Sequence, residues 1–264
     1  MTEITRRYTA AQTIARDAGA LALRYFQSFD TLTIESKSQQ DFVSEADKNV
    51  ESLVRAAIAA AFPDDAVVGE EDEPTPGTSG FTWVIDPIDG TTNFIHGIPQ
   101  WCVAIAIVQN AQTLVGVVHD AVHGECNHAM RGHGAFCNNR TLQVLQGRSL
   151  TKGSLGVGFS GRTQDSGAII TLMDDLTKIG GVFWRNGSGA LSLAYVAQGK
   201  LLGYVEEHMN AWDCLAGQLL IAEAGGMIED QDADDMITNG GRVVVATAEV
   251  FSEVKALADK AYRA

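Results

Sequence analysis

Two acids three residues apart, Asp86 and Asp89, stand in the run Trp83-Val84-Ile85-Asp86-Pro87-Ile88-Asp89-Gly90-Thr91-Thr92-Asn93-Phe94. Pro87 presets φ and favours a turn, so both carboxylates can project from one side of a bend. Gly90 allows close backbone access, and the N–H groups after it can open onto a helix start, where phosphate is readily held. Carboxylates facing a phosphate would repel it unless divalent cations lie between them. Oxygen ligands of this kind suit magnesium, which shares its coordination shell with substrate phosphate. Asp-Pro-x-Asp-Gly alone is an ordinary surface turn. The hydrophobic strand ahead of it, and acids elsewhere that can complete the set, favour a metal-and-phosphate site.

Those further acids each sit at the end of a predicted element. Ser44 is placed as the N-cap of a helix running to about Phe62, with Asp47 three residues on in the capping-box position. Capping alone would account for Asp47. Ala66-Val67-Val68-Gly69 reads as a buried strand that delivers Glu70 and Glu71 at its exit, whereas Asp72 and Glu73 read as solvated charges. Trp212-Asp213 starts a helix over Cys214 to Ala224, stopped by Gly225-Gly226, and a lone Asp there is by default a cap. Asn186-Gly187-Ser188-Gly189 leads into a helix from Ala190 to Ala197. Its backbone N–H groups could bind an anion or a sugar hydroxyl, or form no more than a strand-to-helix turn.

The other elements frame these positions. Apolar residues at Ala11, Ala15, Ala18, Ala22 and Phe26 predict a helix over about Tyr8 to Phe26 with one buried stripe. Thr31 to Ile34 alternates like a short strand, and Ser36 to Gln40 reads as a polar loop. Val103 to Val108 and Leu114 to Val118 predict a hairpin, and Gly132 to Asn139 a second hairpin turn. Strands are expected over Leu155 to Phe159, Val182 to Arg185 and Leu201 to Val205, with a helix within Asp165 to Ile179 and a loop over Glu206 to Ala211. Residues 227–264 read as two short strands, a turn and a closing helix. His119, His123, His128 and His133 match no zinc spacing.

Composition narrows the function. The 264 residues are 45% hydrophobic, enough for a substantial core in one domain of two closely packed halves, about 1–148 and 149–264. Nineteen basic against 33 acidic side chains give −14, which argues against nucleic acid or an anionic membrane as partner. Four scattered cysteines without CxxC, an N-terminal run that is no secretory leader, and no apolar run of about 20 residues point to a cytoplasmic protein with reduced thiols.

Ile85-Asp86-Pro87-Ile88-Asp89-Gly90-Thr91-x-x-Phe94 resembles the first signature of the inositol monophosphatase family. Trp212-Asp213-x-x-Ala216-Gly217 followed by Glu223-Ala224-Gly225-Gly226 resembles its second, with Leu215 where that signature commonly has Ala or Cys. The Gly69-Glu70-Glu71 strand end, the Gly132-x-Gly134-Ala135-Phe136 run and the Gly-Ser-Gly turn fall in the same order as in the family. The resemblance implies an α/β (α+β) fold, a layered αβαβα sandwich, and a lithium-sensitive phosphoric monoester hydrolase using two or three magnesium ions. It implies that Glu70, Asp86 and the Ile88 carbonyl hold one ion and that Asp86, Asp89 and Asp213 hold a second, with a third, weaker site at Glu70. Thr91 and Asp47 would position the attacking water. Glu206 would accept hydrogen bonds from substrate hydroxyls, beside Ser188, Gly189, Ala190 and Ser160, while Asp89, Gly90, Thr91 and Asp213 line the substrate. The implied substrate is inositol monophosphate or a similar polyol or sugar monophosphate, and the implied assembly a homodimer. Histidinol phosphate, fructose 1,6-bisphosphate and 3′(2′),5′-bisphosphate nucleotides are the rival substrates. A regulatory relative binding a metabolite or a protein is the non-enzymatic alternative.

Overall fold

The computed structural model describes residues 2–29, 33–38, 41–159 and 166–262. Helix α1 (Glu3–Phe26) starts earlier than its apolar stripe predicts, because the Thr2 side chain caps it by accepting from Thr5 N. Its buried alanines pack closely, and buried Arg7 forms a two-pronged pair with Asp65, with both N···O distances at 2.7 Å. Strand β1 (Ile34–Ser38) takes in 36–38, where a loop is expected, and pairs antiparallel with β2 (Asp41–Ser44); residues 39 and 40 of that expected loop, and 31 and 32 of the expected short strand, lie outside the described residues. The polar residues 36–38 carry no apolar alternation, so only the pairing reveals them. Helix α2 (Glu45–Ala61) follows with the expected Ser44/Asp47 capping box.

The first large sheet is built from β3 (Ala66–Gly69), β4 (Thr82–Asp89), β5 (Cys102–Gln109), β6 (Gln112–Asp120), β7 (Glu125–Met130), β8 (Ala135–Cys137) and β9 (Arg140–Thr141), in that spatial order. Helix α3 (Thr91–Ile95) interrupts it after β4. Only β3 and β4 run parallel. The β5–β6 hairpin turns on Asn110 and Ala111, both at positive φ, as a two-residue turn requires. The second large sheet is assembled from β10 (Ser154–Val157), β11 (Val182–Trp184), β12 (Gly203–Met209), β13 (Met227–Ile228) and β14 (Gly241–Ala246), ordered β11-β10-β12-β14-β13. Between these strands run α4 (Gly167–Lys178), α5 (Gly189–Ala197), α6 (Ala211–Glu223) and α7 (Ala233–Asn239), and α8 (Phe251–Ala261) follows β14. Helix α7 is not expected from the sequence: it buries only Ala233 and Met236, too few positions to show a period.

Alternation within the strands sorts the layers. Ile105 and Ile107 of β5 face α1 and α2, while Ala104, Ala106 and Val108 face the buried pair α5 and α6. On β12 and β14, Tyr204, Val243 and Val245 face that same helix pair, and Val205, Val244 and Ala246 face α4 and α8. The order is therefore helices, sheet, helices, sheet, helices: the layered αβαβα sandwich. Among the described residues, no helix is long and apolar enough to cross a membrane.

Two local departures shape the site. The bend expected at Pro87 is a bulge inside β4, because Asp86 pairs with Ala104 but Asp89 with Cys102, leaving one extra residue on β4. Proline lacks an N–H for the ladder and is tolerated where pairing breaks. The loop expected from Glu206 is instead the continuation of β12. Pairing with β14 holds at Glu206–Val243 and resumes at Met209–Gly241 after an irregularity.

Candidate active site

The bulge aims the Asp86 and Asp89 side chains toward the start of α6. There Asp213 is the third helical residue, its carboxylate accepting from Asn210 N in a capping box. Carboxylate oxygens of Asp86, Asp89 and Asp213 all lie within 4.8 Å of one another. Glu70, at the exit of β3, is close enough that its charge acts on Asp86. Asp47 sits in the first turn of α2, so acids from two helix N-termini and two strand ends meet in one place.

Each carboxylate is held differently. Asp86 Oδ1 accepts from Ile88 N at 2.9 Å, but its buried Oδ2 has no hydrogen-bond partner among the described residues. Asp89 closes onto the start of α5: Ser188 Oγ donates to it at 2.5 Å, Ala190 N at 2.7 Å and Gly189 N at 3.3 Å. The amides expected to face a substrate hydroxyl are thus turned to Asp89, because a carboxylate at a helix start is the stronger acceptor. Asp47 accepts from Ser44 N and Oγ at 2.9 and 2.6 Å through one oxygen, and Thr91 Oγ1 lies 3.3 Å from the other. The Ile88 carbonyl is 3.1 Å from the same Thr91 hydroxyl. That hydroxyl has one proton for these two acceptors, and its lone pairs are available to a water.

The electrostatics follow from crowding. Burial, then the charges of Glu70, Asp89 and Asp213, push Asp86 well above the ordinary aspartate value. Burial, then Asp89, raises Asp213 to about 7. Asp89 is also raised by burial, against the opposing hydrogen bonds of Ser188 and of the Ala190 and Gly189 amides. Asp47 is raised by burial as well, opposed by Ser44. Asp86 and Asp213 lie close enough to share a proton when one is neutral. An all-oxygen donor set, mutual repulsion and one partnerless buried oxygen together fit a hard divalent cation.

This crowding predicts a pH response. The ordinary aspartate value is 3.8 and Asp213 stands at about 7, so between them the folded chain keeps a proton the unfolded chain has lost. Stability from this group is therefore complete below about 4 and lost as pH rises through about 7. Asp65, lowered beside Arg7, titrates below that window. The Tm of metal-free protein is expected to fall between about pH 4 and 7. Added magnesium should shrink the fall; a Tm that rises across this range would refute the crowding.

Glu206 borders the cluster on the α5 side and is buried. A Cβ on Gly158 would lie 2.2 Å from its Oε2, and one on Gly189 4.0 Å away. Tyr204 donates to the same Oε2 at 2.6 Å, which leaves Oε1 for another donor. Burial is the largest influence raising Glu206 to about 7. Ser160 lies outside the described residues. Two residues in the site carry no signal in the sequence. One is Tyr204, hidden in an apolar strand. The other is Asn93, whose Nδ2 lies 2.6 Å from the Gln100 carbonyl and 2.7 Å from that of Asn186, tying the two halves together. Of His119, His123, His128 and His133, His128 pairs with Tyr8 at 2.6 Å and His123 with Asp120 at 2.8 Å, and among the described residues none of the four joins a metal-holding group.

The sequence profile of the inositol monophosphatase family matches residues 3–262. The chain belongs to the inositol monophosphatase family. Family membership makes it a phosphatase acting on phosphorylated substrates, and its acidic cluster is compatible with a metal. An inositol-1-monophosphatase of Mesorhizobium japonicum is 39% identical over 241 residues, 90% of each chain. A protein named Nus factor SuhB from Pasteurella multocida is 37% identical over 242 residues, 91% of each chain. The crystal structure of extragenic suppressor protein suhB from Bartonella henselae superposes with a TM-score of 0.89 at 29% identity, covering 96% of this chain and 98% of that one.

Proposed function

We propose that this chain is a magnesium-dependent phosphomonoesterase that hydrolyses inositol monophosphate, or a similar polyol or sugar monophosphate, to alcohol and phosphate. The observation that carries this reading is the meeting of Asp86, Asp89 and Asp213 within 4.8 Å beside the Asp47–Thr91 pair. Asp86, Asp89, Asp213, Glu70 and the Ile88 carbonyl would hold two or three magnesium ions. Bound there, magnesium supplies Lewis-acid activation of water and neutralises charge on the phosphate and the leaving oxygen. Thr91, donating to Asp47 Oδ1, accepts a hydrogen bond from the attacking water and so aims its lone pair at phosphorus. The Gly90 and Thr91 amides face the phosphate after the positive-φ turn at Gly90. Burial pushes the Cys102 thiol well above its ordinary value, which makes it a poor nucleophile beside Asp89. Phosphate release from inositol 1-phosphate should require added magnesium; equal release in chelator would overturn the proposal.

Glu206 is the proposed specificity group, with Oε1 accepting from a hydroxyl of the leaving alcohol. An acid there disfavours a second phosphate on that alcohol, which counts against fructose 1,6-bisphosphate and bisphosphorylated nucleotides. Histidinol phosphate remains the rival, and a side-by-side panel of these esters separates them. Glu206→Gln should lower kcat/KM for inositol 1-phosphate about 10- to 100-fold, the worth of one hydrogen bond to a charged group. A generic aryl phosphate lacks those hydroxyls and should be nearly unaffected. Equal losses on both would remove Glu206 from specificity.

Residues 1–264 are proposed to act as one domain with the site at the junction of its halves, as a cytoplasmic homodimer inhibited by lithium. The four cysteines, all buried and free, fit a reducing compartment. The name Nus factor SuhB on relatives favours a second reading, a regulatory role beside catalysis. With a net charge of −14, the partner proposed for that role is a protein.

A further inference from the structure

One fully buried acid takes no part in the metal cluster or the water-positioning pair. Glu51 lies on α2, one helical turn beyond Asp47, with no exposed surface. Its Oε2 accepts from Glu71 N at 3.0 Å, and its Oε1 from Asp72 N at 3.1 Å and Arg55 Nε at 2.7 Å. Arg55 reaches past it, donating to the Asp72 carbonyl at 2.9 Å and to Thr75 Oγ1 at 3.2 Å. On the other side of Glu70, a Cβ at Gly69 would fall 2.3 Å from Glu51 Oε1, so the last residue of β3 must be glycine for the carboxylate to enter. The backbone is therefore held immediately after Glu70 by one side chain and its arginine, and Gly69 before it leaves room for that carboxylate.

We propose that Glu51 is a positioning residue for the metal site, fixing the 69–72 turn so that Glu70 is carried toward Asp86. The inference rests on the reading of Glu70 as a metal ligand. A buried ion pair adds little net stability. Two backbone amides bonded to one carboxylate, by contrast, specify where a turn sits. Since Asp47 and Glu51 share one face of α2 at i and i+4, a single helix sets both the water-positioning pair and the Glu70 turn in register.

The test uses the full chain, stripped of metal, and two readouts independent of turnover: amide hydrogen exchange at Glu71 and Asp72, and manganese(II) binding followed by electron paramagnetic resonance. Glu51→Gln keeps the shape but turns an NH2 group toward an N–H donor. It should speed exchange at one or both amides and weaken manganese binding about 10- to 100-fold, the usual effect of losing a group that orients a ligand. Tm should fall as well, because Arg55 and a backbone N–H lose a buried acceptor. Unchanged manganese affinity in a folded Glu51→Gln variant overturns the proposal, as does a loss of Tm with no change in metal binding. If Glu51→Gln fails to fold, wild-type exchange decides: Glu71 and Asp72 amides exchanging at unstructured-peptide rates overturn it, and slow exchange with weakened manganese binding in Gly69→Ala supports it. Wild-type protein that binds no manganese, with both amides protected, overturns the metal reading itself.

Discussion

Asp86→Asn is expected to lower magnesium-dependent turnover by roughly a thousandfold or more, at about 1.4 kcal/mol per tenfold and several kcal/mol of charge stabilisation lost. The replacement preserves shape, and the amide oxygen can keep the bond from Ile88 N that Oδ1 now accepts. Its NH2 group then occupies the place of Oδ2, the buried oxygen without a hydrogen-bond partner among the described residues. A donor there repels a cation. The same change removes a charge that burial and four neighbouring acids already disfavour, so metal-free Asp86→Asn should be more stable than wild type. Loss of phosphate release and a rise in metal-free Tm are thus expected together, measured by phosphate assay and thermal melting. Turnover at a tenth of wild type or better would show that Asp86 is not a shared ligand, and an unchanged or lower Tm that its charge is not strained.

Thr91→Val should cost about 10²- to 10³-fold in kcat, within the range for a group that orients or moves a proton in the transition state. Valine fills the same space and deletes the hydroxyl that bridges Asp47 Oδ1 and the Ile88 carbonyl. Metal binding should change much less, because the carboxylate cluster is untouched. Asp47→Asn should produce a similar loss. The double variant should be little worse than either single one, since the two act through one water. Independent, multiplying losses would mean that Thr91 and Asp47 do separate jobs, and a parallel fall in manganese affinity would place Thr91 in the metal site instead.

The candidate site was legible where chemistry is local. Asp-Pro-x-Asp-Gly-Thr brings two acids, a permissive glycine and a hydroxyl together within one short run, and Ser44 with Asp47 spells out a capping box. Glu206 was legible as a residue but misplaced. The charged stretch Glu206-Glu207-His208 has no apolar alternation, so its place in β12 depends on pairing with β14. Helix α7 was missed because its few buried side chains leave no period to read, and the β1–β2 pair because its polar sequence carries no apolar alternation. Tyr204 and Asn93 act through partners distant in sequence or hidden by strand apolarity.

By itself the sequence determined the family, the alternation of strands and helices, the strong excess of acid and the types of ligand available, because these depend on local spacing and composition. Only the tertiary structure decided that Asp89 is met by the α5 amides, that Asp213 lies beside Asp86 although 126 residues separate them in the chain, and that Glu51 holds the turn that follows Glu70. Those contacts join residues from separate elements. Their existence depends on the layering of two sheets around α5 and α6, a long-range packing arrangement that local residue spacing does not encode.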